Sequence, residues 1–112
     1  KKGSESSMVK LIALYKTPAD SADFDNQYFS THIPLAMKMP GLQKAEISRV
    51  TGAPMGTAEY YLMAELYFEN KEALDAAMSS PEGRASAKNL MGFAKELVSM
   101  MFAEVEKVPA TV

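Results

Sequence analysis

The nine residues YYLMAELYF, positions 60 to 68, place the tightest limit on the fold. Read with period two, Tyr60, Leu62, Ala64, Leu66 and Phe68 make one face that is apolar apart from a single hydroxyl. Such a face is stable only under a covering layer, and helices are the simplest cover. The other face carries Tyr61, Met63, Glu65 and Tyr67, so it is amphipathic and suits an interface or a wet cavity. A strand with two such unequal faces belongs in a sheet that has helices on one side and something else on the other.

The remaining segments supply that sheet. MVKLIALYK (8 to 16) reads as a first strand, with Val9, Leu11, Ala13 and Tyr15 on one face and Met8, Ile12 and Leu14 beside Lys10 on the other. QKAEISRVT (43 to 51) alternates as a second strand. LVSMMFAEVEKV (97 to 108) is β-branched and aromatic enough to be the last, closed by Pro109. Between the first two strands, a helical pattern covers about Ala22 to Lys38. It follows the candidate N-caps Asp20 and Ser21, with Asp20, Asp23 and Asp25 serving the helix N-terminus, and it stops at PGL, 40 to 42. A further helix over 69 to 80 is capped by Asn70. Another continues from Pro81, suited to a first helical position, to about Ala94, with Gly83 and Gly92 weakening it.

The order β-α-β-β-α-β, with its second helical region broken in two, defines an α+β, ferredoxin-like protomer with an antiparallel sheet and helices on one face. The uncovered face would bear Tyr61, Met63, Tyr67 and Met or Phe side chains of the last strand. A second copy across a two-fold axis is the simplest cover for it, giving a homodimer and a dimeric α+β barrel. Glu65 on that face is either a buried acid with a raised pKa or half of a cross-strand or inter-subunit ion pair, with Arg49 or Lys44 as possible partners.

Composition removes several function classes. The 112 residues are 47% hydrophobic and fit one domain with a real core. A formal net charge of −2 gives no electrostatic footprint for nucleic acid or for a membrane surface. Without cysteine there is no disulfide framework or thiolate chemistry, and with one histidine a zinc site has too few ligands, so no metal is expected. No glycine pattern cradles a nucleotide, and GAPMG lacks the Lys-Ser/Thr of a phosphate loop, so no cofactor is expected either. No apolar run approaches the ~20 residues of a membrane span. The first seven residues, KKGSESS, are polar and aperiodic. They read as a leader foreign to the fold, leaving a single domain over 8 to 112, and with no signal peptide among them the expected location is cytoplasmic.

The one histidine, His32, sits in YFSTHIPLAMKMPGL. A lone helical histidine is most often a half-buried ring bonded to a carbonyl and nothing more. Here Phe24, Tyr28 and His32 follow at i, i+4 and i+8 on one face, and Pro34 lies two residues beyond. Proline has no N–H and its ring clashes with the carbonyl four residues earlier, that of Ser30, so a kink is expected that frees backbone groups near His32. A phenol and an imidazole converging there suit proton transfer, with His32 as acid or base and Tyr28 polarising an oxygen. The nine methionines, among them Met37, Met39, Met55, Met63, Met91, Met100 and Met101, either fill core gaps or shape an adaptable apolar pocket. In the second reading Met55, in the GAPMGTA loop, is the candidate lid, and Tyr60, Met37 and Phe24 join it as candidate substrate-binding residues.

The Y-x3-H-x-P core and PGL ending of 28 to 42, with AELYF and ALDAAMSSPEGRA, resemble the EthD-like family of small dimeric α+β barrel proteins. The family is named for a protein linked to ethyl tert-butyl ether degradation. Its wider relatives include muconolactone isomerases, cofactor-free monooxygenases and polyketide cyclases or dehydratases. The family's histidine and proline match His32 and Pro34, and the resemblance spans nearly all of 8 to 108. It implies a homodimer with a pocket between sheet and helices for a small apolar or aromatic metabolite. It further implies a cofactor-independent catabolic enzyme of oxidoreductase or of isomerase/dehydratase type. The other reading is a non-catalytic accessory or ligand-binding protein for an oxygenase pathway.

Overall fold

A computed structural model describes residues 8 to 109; the segment 1 to 7, expected to be a leader, lies outside the described residues. The chain runs β1 (Val9–Lys16), α1 (Ser21–Gln27), a π-helical turn (Tyr28–His32), α2 (Ile33–Ala36), β2 (Leu42–Arg49), β3 (Tyr60–Phe68), α3 (Lys71–Ser79), α4 (Pro81–Ala94) and β4 (Val98–Glu104). The strands form one sheet in the order β2-β3-β1-β4, and every neighbouring pair is antiparallel. This is the expected ferredoxin-like α+β topology.

Period-two alternation decides which side chains the helices cover. Leu11, Ala13 and Tyr15 of β1 and Leu62, Ala64, Leu66 and Phe68 of β3 are all buried. They pack as two apolar clusters, one with Phe24, Tyr28, Leu90 and Ala94, the other with Met39, Leu74 and Ala77. The central strands pair in register over this face, Leu11 with Leu66 and Ala13 with Ala64. Burying a Leu or Phe side chain contributes about 1.5–3 kcal/mol, so this layer carries most of the stability.

Capping chemistry sets the helix limits. Asp20 accepts the Asp23 N–H at 3.0 Å and Asn70 accepts the Ala73 N–H at 2.9 Å, each satisfying a donor the helix leaves unpaired. Ser80 ends α3 and caps α4, its hydroxyl accepting the Gly83 N–H at 3.0 Å. Pro81 holds the residue before it out of the helical region, and Ser80 is extended at ψ 161°, which is why the second helical region breaks there. Gly41, at φ 81°, turns the chain out of the first helical layer as the PGL motif requires.

Gly83 is more than a weak helix former. A Cβ there would fall inside the van der Waals shell of the Ala77 carbonyl oxygen and 2.9 Å from that of Met78. The missing side chain is what lets α4 lie against the end of α3.

Three expectations are corrected. A register irregularity between Tyr15 and Lys16 pairs Tyr15 with Leu62 but Lys16 with Tyr60, so the faces switch at the start of β3. Tyr61 therefore sits on the helix side, edge-on to Phe24 at 5.8 Å, and its hydroxyl donates to Asp25 at 2.8 Å. Glu65 does form a cross-strand ion pair, but its partner is neither Arg49 nor Lys44: it is Lys10, at 2.7 Å, its diagonal neighbour on the uncovered face. Arg49 instead bonds Asp25 at 2.9 Å and Tyr61 at 3.1 Å, which gives Asp25 a tertiary role rather than a capping one. Burial pushes the Asp25 carboxyl up, but the Arg49 and Tyr61 hydrogen bonds outweigh it and hold it below the usual carboxylate range.

The uncovered face keeps an apolar centre of Ile12, Leu14, Met63 and Met101 with Tyr67 beside it. β4 is shorter than the sequence pattern indicates, ending at Glu104. By register Phe102 shares the helix side with Leu11, yet on this edge strand it is 56% exposed.

Candidate active site between the helices and the sheet

Pro34 cannot supply the N–H that the Ser30 carbonyl would accept in a regular helix. The chain answers by widening rather than by the expected kink. The Ile33 N–H reaches back five residues to the Tyr28 carbonyl, and Tyr28–His32 becomes a π-helical turn. Pro34 then falls in the first turn of α2, where its missing donor costs nothing. The turn sets Tyr28 and His32 side by side, ring centres 5.4 Å apart, both buried and both facing the sheet layer.

Beside them lies a cavity of about 100 Å³. Its floor is Leu11, Ala13 and Tyr15 of β1 with Ala64 and Leu66 of β3. Its walls come from Ile33, Ala36 and Met39 on one side and Gly83, Ser86, Leu90 and Met91 on the other, with Met78 and Met100 completing it. Among the described residues no charged side chain lines it. An engineered apolar cavity of about 150 Å³ takes up benzene, so this space is the right order for a compact, uncharged molecule.

Three titratable groups line the cavity, and its low polarity acts on each. Burial disfavours the imidazolium and lowers the pKa of His32, although the Asn89 hydrogen bond opposes this. His32 is thus neutral at pH 7. Burial pushes the Tyr28 hydroxyl up to about 12, with the Tyr15 hydroxyl opposing, and raises Tyr15 further still. Both phenols remain protonated donors throughout the physiological range.

The His32 ring is held at one nitrogen. Nδ1 lies 3.2 Å from Asn89 Oδ1, across from α4. Among the described residues no buried side-chain nitrogen or oxygen is without a hydrogen-bond partner, and Nε2 has no protein partner. Nε2 therefore reaches free space instead of being sealed in the core. Behind the pair, Phe24 stacks on Tyr28 at 5.5 Å, Tyr15 meets Tyr28 edge-on at 5.2 Å, and Phe93 stands 6.3 Å from His32. Aromatic pairs of this kind each add about 0.5–1.5 kcal/mol beyond their burial, which makes the site rigid.

The other sequence candidates lie elsewhere. Phe24 is 3% exposed and supports Tyr28 from behind without lining the cavity. Met55 is 87% exposed in the β2–β3 loop, Met37 is 52% exposed on the outside of the helical layer, and Tyr60 opens β3 opposite Lys16. None of these three touches the cavity. Four methionines do line it, and Met39, Met91 and Met100 of the methionine-rich set are among them, with Met78 as the fourth. Tyr15 and Asn89 are additions. Tyr15 was legible as an inward residue of β1, whereas Asn89 has no local signal because its partner lies 57 residues away.

The EthD domain family model matches residues 16–95, which takes in the π-helical turn, the β3 part of the cavity floor and all of α4. The chain belongs to the EthD family. An uncharacterised 11.0 kDa protein of Rhodococcus erythropolis, from a thcB-thcC intergenic region, is 34% identical over 101 residues, covering 90% of this EthD chain and 98% of that protein. A crystal structure of an EthD family protein from Bacillus halodurans is 47% identical with a TM-score of 0.86, covering 88% of this chain and 99% of the other. Below 25% identity the fold alone is shared. A hydroxynitrile lyase from Passiflora edulis is 14% identical, with a TM-score of 0.72 over 94% and 99% of the two chains. A cofactor-independent oxygenase from Streptomyces nogalater is 13% identical, with a TM-score of 0.63 over 94% and 97%. Other neighbours at this distance are described as dimeric ferredoxin-like proteins.

Proposed function

We propose that this EthD protein is a cofactor-independent acid–base enzyme for a small, uncharged apolar or aromatic metabolite. The observation that carries the reading is a cavity with no charged lining among the described residues, lined by a neutral histidine and two protonated phenols in walls that are apolar but for Ser86. His32 Nε2 is the base that takes a proton from a bound carbon or oxygen acid and returns it to the product. The Tyr28 hydroxyl donates to the oxygen on which charge develops, a hydrogen bond that the apolar surroundings strengthen. Oxygen insertion, isomerisation and lyase chemistry can all follow such a proton transfer. The distant lyase and oxygenase support the reading only in that the same scaffold hosts small-molecule chemistry in both.

The uncovered sheet face belongs to the same proposal. Ile12, Leu14, Met63 and Met101 form an apolar centre that a second copy closes, giving a homodimer. The dimeric descriptions of several fold neighbours support this.

Thermal-shift screening tests the ligand class. Neutral ring-sized ketones, quinones, lactones and phenols are expected to raise the melting temperature, and carboxylates of the same size are expected not to. Each stabilising compound is then assayed for turnover. If only charged compounds stabilise the protein, the cavity has been misread. Binding with no turnover of any hit favours the accessory, non-catalytic role.

A further inference from the structure

We infer that Asn89 is a positioning residue that fixes the His32 tautomer, holding the proton on Nδ1 and leaving the Nε2 lone pair free as the base. The inference deepens the acid–base reading and rests on it for its catalytic meaning, although the tautomer itself is a property of the free protein.

A neutral imidazole carries one proton on either nitrogen, and the hydrogen bond at one nitrogen decides the role of the other. Asn89 Oδ1 is an acceptor only, and it stands 3.2 Å from Nδ1, so Nδ1 is the nitrogen that carries the proton. Nε2 is then the acceptor, and among the described residues it has no protein partner. The choice of an amide matters as much as its position. A carboxylate at the same place would orient the ring equally well but would stabilise the imidazolium and keep the histidine charged. The amide orients without adding charge.

The surroundings leave Asn89 alone in this task. The π-helical turn offers the Tyr28 phenol to the ring, β1 offers the Tyr15 phenol, and α4 offers the Phe93 ring, Ser86 and Asn89 itself. Among the described residues no lysine, arginine, aspartate or glutamate lines the cavity. The π-helical turn fixes where the ring stands, and Asn89, on a separate helix, fixes which nitrogen is basic.

The chain has a single histidine, so its ring can be read without assignment ambiguity. Protein carrying 15N-labelled histidine is titrated by NMR from pH 4 to 9, as wild type and as Asn89→Asp and Asn89→Ala. In wild type above the His32 midpoint, Nδ1 is expected to carry the proton and Nε2 to be bare. Asn89→Asp, nearly isosteric, is expected to raise the midpoint by about 1–3 pH units, the usual effect of a carboxylate beside a cation. Asn89→Ala is expected to give a mixture of tautomers while the amide spectrum stays folded. A wild-type ring protonated on Nε2 would overturn the inference, as would an Asn89→Asp midpoint equal to that of wild type. If Asn89→Ala does not fold, the wild-type tautomer and Asn89→Asp still decide the matter. The two readings fail separately. A correct tautomer in a protein with no turnover sinks only the enzyme reading. Turnover with a wild-type pH profile in Asn89→Asp sinks only the role of Asn89.

Discussion

Two glycines on one helix respond to the same substitution in opposite directions. Gly83 and Gly92 both lie in α4, and by helix propensity alone replacing either with alanine stabilises by up to about 1 kcal/mol. Gly92 has nothing within 4 Å of an added Cβ, so Gly92→Ala keeps this gain, reduced to about 0.5 kcal/mol near the helix end. At Gly83 the added methyl meets backbone, the Ala77 carbonyl oxygen and, at 2.9 Å, that of Met78. Backbone cannot rotate away as a side chain can, so α4 must shift off α3. Overpacking costs about 1–3 kcal/mol, and contact with two backbone carbonyls puts Gly83→Ala at about 2–3, so after a propensity gain of up to about 1 kcal/mol the net loss is about 1–2 kcal/mol. For a domain near 100 residues each kcal/mol moves the melting temperature by roughly 4–8 °C. Thermal unfolding followed by circular dichroism should then place Gly83→Ala about 4–16 °C below wild type and Gly92→Ala a few degrees above it. A Gly83→Ala protein that melts with or above wild type would refute the close-approach argument. A Gly92→Ala protein that melts well below wild type would refute the claim of open space.

Stability falls on the acid side through His32. Its folded pKa lies below the unfolded value of about 6.5, so the unfolded chain binds the extra proton first, and stability declines as pH drops from 6.5 through the folded value. Urea midpoints between pH 7.5 and 5 should show this decline in wild type and a weaker one in His32→Gln. On the alkaline side the Tyr28 folded value of about 12 lies above the unfolded value near 10, so its stability is complete below about pH 10 and is lost as pH rises through 12. Ala64→Leu sends added atoms into the cavity floor and should abolish the thermal shift given by neutral ligands, while the unliganded protein stays within about 1.5 kcal/mol of wild type by denaturant melts.

What the sequence disclosed follows from how local each signal is. The strand and helix order was legible because period-two alternation, the Asn70 cap and Pro81 at a helix start are all short-range features. Tyr28 and His32 could be placed on one face because a helical repeat brings them together. The π-helical turn was not legible, since a proline signals a lost hydrogen bond without saying whether the helix bends or widens. The inversion of Tyr60 and Tyr61 depends on one register slip against Lys16, which belongs to strand pairing and not to either strand alone. Asn89 and Lys10 reach their partners across 57 and 55 residues, distances at which composition and periodicity carry no information. Gly83 read as a weak helix residue for the same reason, because the Ala77 carbonyl that demands it is brought in by the α3–α4 turn.

The central claim is that neutral His32, open to an uncharged cavity, performs the proton transfer. Its most direct test is the pH dependence of kcat/KM for a neutral substrate, in wild type and in His32→Gln, with ligand binding to both measured separately. Wild type should show one ascending limb with its midpoint below 6.5 and no descending limb up to pH 9, since both cavity phenols stay protonated there. His32→Gln should bind the ligand and lose at least about 10²-fold in rate, the scale of general acid–base catalysis, together with the limb itself. Turnover in His32→Gln at the wild-type rate, with the same limb, would contradict the account.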